Sequence, residues 1–257
     1  MKISKKSFLL FIFLYTLSFS QSIQVTYAYK PSNYFEFEEN VFLVNGQKVS
    51  IVDSIPLKKI KPNSGEDIII ERDNGIKRFR TILIDDLKNH NTLFTFQIKK
   101  NNFLISDTVP EIKWDIKHKE TKRIGKYNCK KATANFRGTV VEAYYTTEIP
   151  VSIGPYKFSG LPGLILELKT GGTDNYSWIV KNIQYPYTGV VDYSTKYIAA
   201  LPKKTMKNLV AEIDKRNSEE QSIFLSKLQL PPGIGQPEVE TVSGNTRGLL
   251  ENKFEWE

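Results

Sequence analysis

Residues suited to nucleophilic catalysis are few in this sequence: it contains two histidines, His90 and His118, and one cysteine, Cys129. A Ser-His or Cys-His arrangement would need one of these histidines beside the nucleophile. His90 lies in a polar, turn-like stretch, and His118 ends an alternating segment among lysines. A Cys129–His118 pair on neighbouring strands would meet the requirement, but histidines at strand ends are more often surface residues.

Metal-binding and acid–base patterns are also weak. Neither a Cys-x-x-Cys nor a His-x-x-x-His spacing occurs, and no glycine-rich phosphate loop precedes a helix. The carboxylate pairs Asp85-Asp86, Glu38-Glu39 and Glu219-Glu220 are adjacent in sequence, so along a strand they point to opposite faces, and they are typical of solvated surface charge. A glycosidase could use distant carboxylates that a sequence cannot pair. The sequence therefore predicts no catalytic residue, no metal and no cofactor, and a hydrolase remains a remote alternative.

Aromatic residues favour a binding site over a catalytic one. The chain has 15 Phe, 13 Tyr and 3 Trp, more aromatic surface than one core must use. Such rings on a concave sheet bind apolar or peptide ligands. Trp114, Tyr144 and Tyr145 are the candidate binding residues, because adjacent strand residues face opposite ways and one tyrosine can face a ligand. Plain core packing of Trp114 with Ile112 and Ile116 is the alternative.

The N-terminus predicts export. Three lysines precede an apolar run at residues 8–17, and Ser18 and Ser20 are small residues at the positions that a signal peptidase recognises. The run is shorter than the roughly 20 residues of a membrane span. We expect a signal peptide over residues 1–20 with cleavage before Gln21. The mature chain would then be periplasmic or extracellular, without a transmembrane anchor.

The net charge and the cysteine content bear on two further questions, whether the protein binds nucleic acid and whether it forms disulfides. Without the three lysines of the predicted signal peptide, 33 basic residues face 28 acidic ones, a net charge of +5 rather than +8. We interpret this excess as mild and spread along the chain, and the sequence predicts no nucleic-acid partner. A single cysteine cannot form an internal disulfide. Cys129 is expected to be a small buried residue, with an intermolecular or reactive thiol and a metal ligand as alternatives.

The pattern of apolar residues predicts mostly strands. Period-two alternation or short apolar runs occur over residues 23–29, 41–44, 49–52, 68–70, 79–84, 93–98, 103–105, 112–118, 125–136, 139–146, 164–168 and 176–180. Asn45-Gly46 predicts a type I′ hairpin turn. Apolar residues at i, i+3, i+4 and i+7 from Met206 predict one amphipathic helix. The expected fold is mainly β, with a large curved antiparallel sheet, half-barrel or sandwich-like, and this helix near the C-terminus.

The predicted domain organisation is simple. After the signal peptide we expect a single β-rich domain over residues 21–230, long enough to bury its own core. Beyond it the composition shifts to Pro, Gly, Glu, Thr and Asn. Such a composition predicts a loop or loosely ordered C-terminal tail over residues 231–257. Docking of Phe254 and Trp256 as a last short strand is the alternative for its end.

A bend with two glycines and a proline stands out. Proline fixes φ and removes a donor, and glycine permits close approaches that a Cβ forbids. The pattern predicts a rigid structural bend that leads into a buried strand. Its residues are Gly154 and Pro155, followed by Gly160, Leu161, Pro162, Gly163, Leu164 and Ile165.

The order of these and other landmarks resembles the GLPGLI family of exported proteins of Bacteroidetes-type bacteria. Two departures stand out: the family tends to have Trp-Tyr where this chain has Tyr144-Tyr145, and an acidic residue near Lys169-Thr170. The resemblance implies an exported β-rich protein, often associated with outer-membrane transport, with no established activity. It rests on Ile112-Lys113-Trp114, residues 124–132, Phe136-Arg137-Gly138, Tyr144-Tyr145 before Thr146, Ile149-Pro150, Gly154-Pro155 with Lys157-Phe158, and residues 160–165.

Two functions compete on these grounds. The first is a non-catalytic binding or chaperone-like accessory to outer-membrane transport, whose partner would be an outer-membrane transport protein or a small apolar or peptide ligand. The second is a structural or interaction module of an envelope assembly. A deep apolar cavity would favour the first, and a flat exposed apolar patch would favour the second.

Overall fold

A computed structural model describes residues 22–32, 35–53, 58–60, 67–69, 80–171, 175–193, 195–227 and 247–257. The predicted signal peptide at residues 1–20 and the predicted cleavage point before Gln21 lie outside the described residues. Within the described ranges, no helix has the length and apolar character needed to cross a membrane.

The described strands form one large sheet, as the alternating sequence predicted. Twelve of them follow the order β14-β8-β7-β6-β3-β2-β1-β13-β12-β11-β10-β9, and β4 and β5 branch from β2. All these pairs are antiparallel except β14 with β8. The strands are β1 Ile23–Ser32, β2 Phe35–Val44, β3 Gln47–Asp53, β4 Lys58–Ile60, β5 Asp67–Ile69, β6 Arg80–Asp86, β7 Asn91–Ile98, β8 Asn101–Thr108, β9 Thr121–Ile124, β10 Tyr127–Phe136, β11 Thr139–Thr146, β12 Leu164–Thr170, β13 Ser177–Gln184 and β14 Lys203–Thr205.

Two helices accompany the sheet. Helix α1 is the short Thr195–Ala199, and α2 is the long Met206–Lys227. The predicted stripe of α2 is confirmed, because Met206, Leu209, Val210 and Ile213 are all buried. Beyond this first half α2 is largely exposed. The hairpin turn is also confirmed, since Asn45 and Gly46 both have positive φ between β2 and β3.

The two halves of the sheet are covered differently. Around β6 and β8, alternating side chains pack under α2 on one face and under Ile198 of α1 on the other. Around β1 and β10–β13, the inner face packs against the loop between β11 and β12. The outer face of that half carries ion pairs, such as Glu167 with Lys122 and Lys169. The long loop thus acts as the second layer that a sheet needs to bury its apolar face.

The segment at residues 112–118 differs from the predicted strand. Its backbone pairing with the sheet is a single bridge between Asp115 and Thr133. The Asp115 side chain accepts a hydrogen bond from the Lys117 amide at 3.0 Å, and such a local bond competes with strand pairing. Trp114 donates its indole N–H to the Ser159 carbonyl at 2.8 Å, which holds the segment against the long loop.

The last eleven residues are packed more closely than the composition predicted, and Phe254 docks without forming the short strand that was the alternative. A loosely ordered tail was expected over residues 231–257, but residues 247–257 are packed against the body of the protein. Leu250, Glu251 and Phe254 are buried, and the amides of Asn252 and Lys253 donate to the Arg137 carbonyl at 2.9 and 2.8 Å. Composition failed here because the segment is held by a buried carboxylate and backbone bonds, not by apolar content alone. Residues 231–246 lie outside the described residues.

Candidate functional site

The loop that contains the glycine–proline bend packs tightly on the inner face of the sheet. A Cβ on Gly163 would lie 2.0 Å from the Thr146 carbonyl oxygen, and a Cβ on Gly154 would lie 2.6 Å from Ile165 Cδ1. Both distances are below any real van der Waals contact. The loop side chains Ile153, Phe158 and Leu161 are almost fully buried. The bend therefore brings its backbone closer to β11 and β12 than any side chain would permit.

A cleft opens beside this loop, and we call it the loop cleft. Its volume is about 250 Å³. One wall is formed by Ser152, Ser159 and Gly160 of the loop. The remaining lining residues come from the end of β6, the turn that follows it, the start of β7, the segment after β8 and the loop itself. They are Asp85, Asp86, Leu87, His90, Thr92, Val109, Pro110, Glu111, Ile112 and Lys157.

Buried charges form the floor of the loop cleft. Asp85 lies at the end of β6 and forms an ion pair with Lys48 Nζ at 2.8 Å. The Thr92 hydroxyl donates to the same carboxylate from the neighbouring strand β7. Lys48 also donates to the Tyr156 carbonyl, and this bond ties the long loop to β3. The floor is thus a fixed arrangement of donors and acceptors with little freedom to rearrange.

Lys157 connects the floor to a second group of charges, the buried ion cluster of Asp107, Arg137, Lys157 and Glu251. Lys157 Nζ lies 2.8 Å from Asp107 Oδ2 and 2.6 Å from Glu251 Oε1. Arg137 donates to both oxygens of Asp107 at 2.7 and 2.9 Å. Isolated charges are very costly to bury, and these four are tolerated because each has a partner of opposite sign.

The electrostatics of these groups follow from burial and pairing. Burial alone would raise the pKa of Asp107, but the Lys157 ammonium and the Arg137 guanidinium outweigh it and lower that pKa. Burial raises the pKa of Tyr156, and the nearby Glu251 carboxylate adds to the effect. These groups therefore keep their charge states near neutral pH. They suit ligand binding by fixed charges better than proton transfer.

A fourth buried carboxylate, Glu39, holds the loop that lines the cleft. It accepts hydrogen bonds at 2.6 Å from the Ser50 hydroxyl, the Tyr156 amide and the Trp178 indole. Burial raises the pKa of Glu39, and these bonds only partly offset the effect. Because the Tyr156 amide belongs to the long loop, Glu39 fixes the loop backbone next to Lys157.

The predicted binding residues occupy three different environments. Tyr145 is only 3% exposed and belongs to the main core, whereas Tyr144 is partly buried on the opposite face with Lys122 above its ring. Trp114 is partly buried, and its ring lies 6.4 Å from that of Phe158. The ring contacts of the described residues do not join Trp114 to either tyrosine. Trp114 instead supports the loop wall through Ser159, so a direct role in binding stays a prediction for all three.

The histidines and the cysteine lack a catalytic arrangement in the described structure. His118 Nε2 lies 2.9 Å from the Thr133 hydroxyl and 3.9 Å from Asp115 Oδ2. Both contacts use the same ring nitrogen, so they cannot relay a proton as a catalytic triad does. Cys129 is buried, as expected, and burial raises the pKa of its thiol to about 11. Such a thiol is a poor nucleophile at neutral pH.

His90 is the histidine that lines the loop cleft, at its exposed rim. Its backbone has positive φ in the turn between β6 and β7, and its carbonyl accepts from the Val109 amide at 2.9 Å. Among the described residues, no group of three or more His, Cys, Asp or Glu side chains could hold a metal ion. The described part of the site thus offers polar contacts and no preformed metal centre.

Sequence reasoning missed the floor of the cleft. Lys157 stands between two aromatic residues in the long loop, and Asp85 ends an apolar strand. A charge within an apolar run is a signal of a buried ion pair, because an unpaired one would not be tolerated there. The partners Lys48 and Thr92 lie far away in sequence, so the pairing itself could not be found without the sheet register.

Among known protein families, one family model matches a single segment of the chain. The profile of Porph_ging, described as a protein of unknown function, matches residues 136–167. This family is typical of Bacteroidetes proteins. The matched segment runs from the end of β10 through the long loop into β12, so it includes Lys157 and the glycine–proline bend. No curated protein matches the chain.

Solved structures add only a distant likeness. Two crystal forms of PNGF-II, in space groups C2 and P21, are 14% and 15% identical, each with a TM-score of 0.47 over 74% of this chain. The chain spans 32% of the length of these PNGF-II chains. An uncharacterized conserved protein from Thermus thermophilus is 11% identical, with a TM-score of 0.38 over 79% of this chain and 99% of its own. These values are too low to support a functional inference.

Proposed function

We propose that this chain is an exported GLPGLI-type protein that binds a small ligand or a peptide segment in the loop cleft. It would serve as a binding or chaperone-like accessory to outer-membrane transport. The observation that carries the proposal is the cleft itself, which opens beside the segment of residues 136–167 and has buried charges at its floor. Expensive buried charges beside an open cleft are more typical of a binding site than of a surface irregularity.

The lining indicates the class of ligand. At about 250 Å³ the cleft is smaller than the roughly 300–1,000 Å³ clefts that hold drug-sized molecules. Leu87 and Val109 offer apolar contact, while Asp85, Lys157 and Ser152 offer acceptors and donors. A ligand with one apolar portion and one polar or charged end fits this lining. A single side chain of a peptide or a small amphipathic molecule has that character.

The same residues argue against a hydrolase as the first choice. The carboxylates at the floor are already paired with lysines, so they are not free to exchange a proton with a substrate, as general acid–base catalysis requires. The other titratable side chains of the lining, His90, Asp86 and Glu111, are exposed at the rim and form no acid–base pair among the described contacts. Binding needs no such pair. We therefore propose a binding protein without assigning any catalytic residue.

Native mass spectrometry of the protein released gently from its own envelope tests the proposal. We expect a small molecule or peptide to stay bound to the parent protein. In Glu111→Trp, a large ring at the exposed rim should obstruct the cleft, and the bound species should be lost. Glu220→Trp, on the exposed part of α2, is the matched control and should retain it.

Two outcomes would contradict the proposal. If the parent carries no small molecule or peptide, the cleft is not a ligand site. If it carries a folded protein partner that Glu111→Trp also retains, the envelope interaction module is favoured. The sheet edge at β9 would be the first surface to examine in that case, because β9 pairs with β10 alone in the described sheet.

A further inference from the structure

The positive charge of this protein is concentrated in one short stretch. Residues 113–131 contain eight Lys or Arg and two Asp or Glu, a net of +6 against +8 for the whole chain. The excess of positive charge was expected to be spread along the chain, but its distribution is strongly local. The stretch coincides with an edge of the sheet, because it contains β9, the last strand of the sheet order.

The backbone holds these charges together along that edge. Strand β9 pairs with Tyr127–Lys130 of β10 across the turn at Gly125 and Lys126. The preceding residues continue along β10, since the Glu120 carbonyl accepts from the Lys131 amide and Asp115 bridges to Thr133. Residues 115–131 therefore form one hairpin-like border. Their basic residues lie on the segment that precedes β9, on β9, in the turn after it and on the start of β10.

Most of these cations have no carboxylate partner among the described residues. Lys122 is paired with Glu167, and Lys131 with Glu120 and Glu142. The other six are exposed and lack such a pair. We name these six the basic edge: Lys113, Lys117, Lys119, Arg123, Lys126 and Lys130.

An apolar side chain lies among these cations. Ile116 is 49% exposed and stands between Lys113 and Lys117 in the sequence. Exposed apolar residues among lysines are typical of protein surfaces that rest on a lipid interface, where the apolar group enters the headgroup region. None of the six cations lines the loop cleft, so this surface is separate from the site proposed above.

We propose that the basic edge docks this protein onto an anionic lipid surface. Five of the six cations are lysines, which act as point charges and suit a diffuse negative surface. Recognition of one specific phosphate or carboxylate would favour arginine forks in a concave site. The six basic side chains are exposed, and their positive charge complements the negative charge of lipid phosphates. This complementarity is the main argument for a lipid surface. A nucleic acid or an acidic protein is an alternative occupant that the test separates.

Vesicle sedimentation tests this proposal with the chain from Gln21 onward, which retains every described residue and lacks the apolar N-terminal run. We expect binding to vesicles of phosphatidylglycerol in phosphatidylcholine, and little binding to phosphatidylcholine alone. The binding should weaken as salt is raised, because screening shortens the range of the attraction. The variant with Lys117→Gln, Lys119→Gln, Arg123→Gln and Lys126→Gln should bind on the order of 1,000-fold more weakly, given the contribution of each basic residue near a lipid surface.

The matched control removes four exposed lysines elsewhere, with Lys99→Gln, Lys100→Gln, Lys207→Gln and Lys215→Gln. It has the same net charge as the test variant and should bind nearly as well as the parent. Ile116→Ser leaves the charge unchanged and should weaken binding by a smaller factor. Thermal unfolding of each variant checks that it folds, and the single changes Lys117→Gln and Lys126→Gln serve if the fourfold variant does not.

Three results would overturn the proposal. One is equal loss of binding in the test and control variants, which would indicate a net-charge effect alone. Another is equal binding to neutral and anionic vesicles. The third is tight binding of RNA or of an acidic peptide by a protein that ignores anionic vesicles. None of these results depends on whether the loop cleft holds a ligand.

Discussion

At the scale of single residues, the long loop depends on positions where a side chain cannot fit. Gly163 is the sharpest case, because its backbone lies against the carbonyl of Thr146. The contact joins the loop to the end of β11, at the place where β12 begins. The glycine is thus explained by packing of backbone on backbone, whatever the loop binds.

Gly163→Ala should lower the free energy of unfolding by about 3–5 kcal/mol, at the large end of single-site effects, because the added Cβ would force the backbone at Thr146 to move. Gly125→Ala is the matched control. Gly125 also has positive φ, but a Cβ added there would have no atom within 4 Å, so only conformational strain of about 1 kcal/mol is expected. Urea unfolding of both variants measures the difference. Equal losses would show that the close approach at Gly163 relaxes without cost.

At the scale of elements, regular patterns were predictable and long-range pairings were not. The hairpin at Asn45-Gly46 and the buried stripe of α2 follow from local chemistry, so the sequence alone was enough. Residues 112–118 alternate like a strand, yet Asp115 bonds locally and Trp114 is drawn to the long loop. The cleft floor could not be predicted from the sequence for a different reason. It joins Lys48, Asp85 and Lys157, which only the sheet order brings together.

The C-terminal segment at residues 247–257 offers an element-scale test. Its Glu251 is fully buried against Lys157 and Tyr156, whereas the Glu255 side chain is 45% exposed beside Arg137. Glu251→Gln leaves the Lys157 charge with one carboxylate fewer and should cost about 3–5 kcal/mol. Glu255→Gln should cost about 1 kcal/mol or less, as for exposed pairs.

Chemical denaturation of the two variants separates these expectations. The same measurement tests whether the segment is part of the folded body. A small loss for both variants would mean that residues 247–257 contribute little and that the composition-based prediction of a loose tail was closer to the solution state. A large loss for Glu251→Gln alone would place the segment within the cooperative unit.

At the scale of the whole molecule, the strands form one continuous sheet, and buried ion pairs connect its two halves. The buried ion cluster draws Asp107 from β8, Arg137 from the turn after β10, Lys157 from the long loop and Glu251 from the C-terminal segment. These elements come from both ends of the sheet order. Because each charge needs the others, we expect the halves to unfold together.

The dependence of stability on pH tests the charges of the whole molecule. Burial would raise the pKa of Glu167, but its bonds to Lys122 and Lys169 outweigh burial and lower it, as Lys157 and Arg137 do for Asp107. A carboxyl whose folded-state pKa is lowered contributes stability above its unfolded pKa, about 4, and that stability is lost as pH falls through the folded value. The free energy of unfolding should therefore fall steeply below about pH 4.

Glu39 has the opposite effect on the pH dependence of stability, because burial raises its pKa in the folded state. Its favourable contribution is complete below the unfolded pKa and is lost as pH rises through the folded value. Glu167→Gln should lower stability near neutral pH by about 1–2 kcal/mol and should flatten the fall in acid, since one of the carboxylates with a lowered pKa is gone. Glu219→Gln, on the exposed face of α2, is the control and should follow the parent curve. Urea unfolding at a series of pH values gives the curves. If the Glu167→Gln curve runs parallel to that of the parent, the ion pairs of Glu167 do not govern the acid response, and the prediction for this residue is wrong.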